Sequence, residues 1–121
     1  MMITELDTIK LIRYLEQGDT NKVGEILAAG GAAPSPYEEG YRKALYGLVA
    51  AIDNNERDSL FYKLVNSEIE EDVARQMRKD VLMRLEQTFR DPLFLGYEHA
   101  WEFVLSYFTG EQKMGLDKYQ P

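Results

Sequence analysis

The single histidine, His99, sits in the run Gly96-Tyr97-Glu98-His99-Ala100-Trp101-Glu102, with a carboxylate on either side. An imidazole oriented by a carboxylate is a minimal general acid/base pair, and on a helix Glu102 would lie one turn from the ring. On that reading the chain is a small enzyme or metal protein around His99. The simpler reading is a solvated histidine, because His99 falls off the apolar stripe Tyr97, Ala100, Trp101 and Val104. Arg90, the nearest upstream arginine, is separated from His99 by eight residues and a proline, too far for a local Arg-His pair.

Other catalytic patterns are missing. There is no cysteine, which excludes disulfides, thiolate metal sites and a thiol nucleophile. The acidic group Glu68, Glu70, Glu71 and Asp72 offers hard oxygen ligands but lacks calcium-loop spacing. It suits a helix start, where negative charge meets the positive end of the dipole. No glycine loop for phosphate, no nucleophile elbow and no Glu-x-x-His pair occurs. We therefore assign no catalytic residue, no metal ligand and no cofactor.

Two surfaces remain as candidates for binding. Arg75, Arg78 and Lys79 share a helical face, with Arg84 and Arg90 further along, and would dock an acidic protein segment or RNA phosphates. Glu71, four residues before Arg75, neutralises part of that strip. The net charge of −7 argues against non-specific nucleic-acid binding by the molecule as a whole. The second surface is aromatic. Eight Tyr, five Phe and one Trp exceed what a small core hides with every hydroxyl satisfied. Tyr46, Tyr62, Trp101 and Tyr107 are the expected contact residues for a partner, with Arg75, Arg78 and Lys79 as a charged rim.

Helices must position all of these groups. Residues 5–16 place Leu6, Ile9, Ile12 and Leu15 at helical spacing and stop at Gly18; residues 19–29 continue with Val23, Ile26 and Leu27 and stop at Gly30-Gly31. Ser35-Pro36-Tyr37-Glu38 has the form of a capping box with proline at the first helical position, opening a helix over 36–53. Asp53-Asn54-Asn55 reads as a turn before a short helix at 60–65. Ser67-Glu68-Ile69-Glu70 has the form of a second capping box, opening the longest helix near 68–90. Asp91-Pro92 opens the last, over 92–108. No stretch alternates as a strand does. The chain is expected to be all-α, a compact bundle or helical-hairpin stack of about six helices over 1–110, with 111–121 a mobile tail.

Two of these helices are alike. Ser35-Pro36-x-x-x-Gly40-Tyr41-x-x-Ala44 recurs as Asp91-Pro92-x-x-x-Gly96-Tyr97-x-x-Ala100. The expectation is that both helices occupy equivalent environments, with their Gly-Tyr-x-x-Ala faces packed on each other or on like neighbours. Gly40, Gly47 and Ala51 lie beside Ala44 on a strip that would admit a second helix closely.

Over Gln17-Gly18-Asp19-Thr20-Asn21-Lys22-Val23-Gly24-Glu25-Ile26-Leu27-Ala28-Ala29-Gly30, the chain resembles the inner part of an ankyrin repeat, without the Thr-Pro-Leu-His signature after it. Gly-Tyr and Ala at helical spacing also resemble tetratricopeptide hairpins, without their 34-residue period. Both resemblances imply a helical hairpin and carry no binding residue to this chain.

No apolar run approaches a membrane span, the longest being Ala44 to Ile52, and the N-terminal residues lack the basic-then-apolar order of a secretory signal. A cytoplasmic protein is expected. The leading function is a non-catalytic protein-interaction module, an adaptor or a subunit of a larger assembly, with self-association as one form of it. An RNA- or ribosome-associated accessory protein using the basic strip is the alternative.

Overall fold

The computed structural model describes residues 2–87 and 91–110. Among them are six helices and no strand: α1 (Glu5–Glu16), α2 (Thr20–Ala29), α3 (Pro36–Asp53), α4 (Leu60–Val65), α5 (Glu71–Gln87) and α6 (Pro92–Phe108). The all-α bundle expected from periodicity is the fold. The expected tail at 111–121 and Arg90 lie outside the described residues.

Caps set most of the helix starts. Thr4 and Asp7 form a reciprocal capping box on α1, each side chain accepting the other's backbone N–H at 3.0 Å. Replacing Thr4 by alanine is expected to cost about 1 kcal/mol, read from the urea midpoint. Ser35 accepts the Glu38 N–H, and Asp91 accepts those of Leu93 and Phe94, so both proline-started helices begin where expected. Gly18 and Gly31 end α1 and α2 with positive φ, a conformation glycine adopts without strain.

Both expected capping boxes need correction. At Ser35 only half forms, because the Glu38 carboxylate turns inward and accepts the Ile3 N–H at 2.5 Å. Ser67 opens nothing. It takes φ 57°, its N–H and that of Glu68 donate to the carbonyls of Leu64 and Lys63, and it thereby closes α4. The long helix consequently starts at Glu71 rather than near 68.

The repeated motif is the centre of the molecule. A Cβ added to Gly40 would lie 1.9 Å from the Leu93 carbonyl oxygen, and one added to Gly96 would lie 1.9 Å from the Tyr37 carbonyl oxygen. Each glycine thus admits the first turn of the other helix, at positions that correspond under the repeat. Beyond these reciprocal first-turn contacts α3 and α6 form the most extensive helix pair in the fold, and Phe61 of α4 packs edge-on against Phe108 at the end of α6. The two helices therefore start together and run side by side in one direction, with Ala44, Leu48, Ala51, Ala100, Val104 and Tyr107 in a single core. Gly47 departs from expectation. It is exposed with open space around it, so its part of the strip admits no helix.

The equivalence extends beyond this pair. α1 packs on α6, and α4 packs on α3, so the first helix of each half lies on the third helix of the other. The second helix of each half packs on its own third, α2 on α3 and α5 on α6. Corresponding positions make these ties. Arg42 donates to the Gly30 and Gly31 carbonyls at the end of α2, and Glu98 accepts from Arg84 near the end of α5 at 3.2 Å. The fold is thus two interlocked three-helix halves around a near-twofold crossing. A smaller second core, Leu64, Ala74, Val81 and Leu105, joins α4, α5 and α6.

Candidate functional site

α5 lays one apolar stripe on α6 and carries three further apolar residues off it. Ala74 and Val81 are buried, and Met77 and Leu85 are half-buried, while Val73, Leu82 and Met83 stay exposed. Beside this stripe, α5, α6 and the start of α4 enclose a groove of about 350 Å³. Leu60, Met77, Val81, Tyr97, Trp101 and Leu105 give it apolar walls, and Asp80, Arg84 and Glu98 stand along it. Its size and lining are those of a binding cleft for an apolar group.

The expected contact residues divide between surface and core. Trp101 lines the groove and bridges the two cores; Tyr46 is 54% exposed on α3, and Tyr62 is half-buried on α4. Tyr107 does not belong to the surface. It is 4% exposed, and its hydroxyl donates to Glu16 at 2.8 Å, tying α6 to α1. The structure therefore brings one expected aromatic, Trp101, into the groove and leaves Tyr46 and Tyr62 outside its lining.

The basic strip is largely engaged. Arg75 pairs with Glu71 at 3.1 Å and reaches the Thr109 carbonyl. Arg78 crosses to Glu102 of α6 at 2.7 Å, and Lys79 is exposed. Pairing with α6 is a contact that the sequence order of α5 could not display.

His99 is oriented by a phenol. Its Nδ1 lies 2.6 Å from the Tyr37 hydroxyl, the rings meeting edge to face, while Glu98 and Glu102 go to Arg84 and Arg78. Burial, and then the charges of Glu38 and Glu102, push the Tyr37 phenol upward, so it stays protonated. Among the described residues no group of three or more acidic or histidine side chains could hold a metal ion.

Three phenols give the fold a common alkaline limit. Burial pushes Tyr41 well above the ordinary tyrosine range, and burial with the Glu16 hydrogen bond pushes Tyr107 up to about 12. A group that holds its proton more tightly folded than unfolded stabilises fully below its unfolded pKa and loses that contribution as pH rises through the folded value. The urea midpoint is expected to hold steady up to about pH 10 and fall from there toward pH 12. A Tyr107→Phe variant should show a shallower fall; identical profiles would refute the assignment.

Groove residues Leu60 and Met77 were not singled out for binding in the sequence, and Tyr97 entered only through the repeat and the apolar stripe. The available signal was a six-residue α4, too short to cover its neighbours.

Fold and groove together define an all-α bundle of paired three-helix halves with an open apolar cleft on one of them. The sequence matches no protein-family model, and no curated protein or solved structure is detectably similar to it. No helix among the described residues is long and apolar enough to cross a membrane.

Proposed function

We propose that this chain is a non-catalytic protein-interaction module, an adaptor or assembly subunit that engages its partner through the α4–α5–α6 groove. The observation that carries the reading is the apolar cleft around Trp101, with the exposed Val73 one turn before Met77 on the same side of α5. An open groove lined mainly by apolar side chains marks a binding site more often than scattered surface residues do. An aromatic anchor at the centre supplies the kind of residue on which binding energy concentrates.

The test is affinity capture with the full chain and with Met77→Glu, each recovered fraction being quantified by mass spectrometry. The expected result is at least one stoichiometric partner that falls tenfold or more with the variant. Equal recovery by both proteins would sink the reading. Light scattering on the purified chain separates a foreign partner from self-association.

A further inference from the structure

The internal repeat indicates what the groove accepts. In the first half, the position of Tyr41 is closed by α1: the Tyr41 hydroxyl bonds Thr8 at 2.8 Å, Leu45 is fully buried, and α1 packs along α2. The matching positions in the second half are Tyr97 and Trp101, and both line the groove. The difference lies in the first helix of each half. α1 runs twelve residues and α4 only six, and the chain before α4, 54–59, is turn and loop. α4 therefore ends where α1 ends, each followed by a residue of positive φ, Ser67 and Gly18, but it lacks the N-terminal turns that α1 lays beside Tyr41.

Resting on the interaction reading above, we infer that the groove is a seat for an amphipathic helix of a partner protein, standing beside Tyr97 as the N-terminal turns of α1 stand beside Tyr41. The chemistry required is that of the first turns of α1: aliphatic side chains at i and i+3, as in its half-buried Leu6 and buried Ile9, with a small polar residue able to meet the Tyr97 hydroxyl as Thr8 meets Tyr41. α1 has 12 residues and α4 has 6, so the length missing from α4 is a little under two turns, which one short amphipathic segment fills.

Trp101 is the only tryptophan of the chain and reports on the groove directly. The probe is a synthetic peptide of residues 3–16, which contains no tryptophan, titrated into the full-length protein. The expected result is a saturable blue shift of Trp101 emission that a scrambled peptide does not produce. It should weaken at least tenfold in Met77→Glu, with Leu60→Asp as the second variant should the first lose its helical circular dichroism. No saturable shift, or an equal shift with the scrambled peptide, overturns the proposal. So does a shift that depends on protein concentration without peptide, which assigns the groove to a second copy. A shift produced by ending the chain at Gly110 also overturns it, assigning the groove to this chain's own C-terminal residues. A partner captured through Met77 but indifferent to competing peptide would leave the interaction reading intact while removing the helix.

Discussion

Gly96→Ala is expected to destabilise the protein by about 3 kcal/mol or more, and Gly40→Ala by a similar amount. A methyl group at either position would sit 1.9 Å from a backbone carbonyl oxygen, Tyr37 in one case and Leu93 in the other. Neither oxygen can move without moving the first turn of a helix, so the two central helices must separate and the core between them opens. Against a total stability of about 5–15 kcal/mol, that is a large share. The measurement is the urea midpoint at constant m-value. Gly47→Ala is the internal control, because it adds the same methyl to the same helix with open space around it. There the gain in helix propensity is expected to stabilise by about 0.5–1 kcal/mol. Equal effects at positions 96 and 47 would show that the crossing is not as close as described. The Gly40 and Gly96 effects should not add, since the first substitution already relieves the crossing the second would disturb.

The second large effect is expected at Glu38→Gln, with a cost of about 3 kcal/mol. Glu38 is 1% exposed, accepts the Ile3 N–H, and lies 3.5 Å from the Arg42 guanidinium. Arg42 is itself buried and donates to the carbonyls of Gly30 and Gly31. Removing the carboxylate charge keeps the shape and an acceptor for Ile3, but takes a negative charge from beside a buried cation. The cost therefore measures electrostatics rather than packing. A double-mutant cycle with Arg42→Met should show coupling of about 1–3 kcal/mol. Additive effects would show that the two side chains act on their backbone partners independently.

Much of the fold was legible because helix boundaries are local. Proline at the first helical position and glycine past the last residue act through backbone conformation, and Pro36, Pro92, Gly18 and Gly31 did so here. The capping boxes were less legible, because the same residues have other uses. Ser67 has the chemistry of a cap yet closes the preceding helix, and Glu38 satisfies a distant N–H because burial there offers a better-shielded bond. Tyr107 looked like surface for a related reason. A phenol is as well satisfied by Glu16, 91 residues away in sequence, as by water. The groove could not be read from spacing, because it consists of something absent: the turns α4 lacks when compared with α1. Only the repeat, once seen in three dimensions, makes that absence visible.

The interlocking of the halves also has a consequence for how the protein is made. Ile9, Leu11 and Ile12 of α1 share a core with Phe103, Val104 and Tyr107 of α6, more than ninety positions later in the chain. The first half covers α1 only in part, through α2, so a nascent chain leaves the rest of that apolar helix uncovered until α6 has left the ribosome. Such sequence-distant pairing slows folding and lengthens exposure to misassembly, in a helical protein as in a sheet. A chain stalled before residue 92 should therefore be recognised by chaperones or degraded, whereas one completed through Phe108 should close in a single cooperative step.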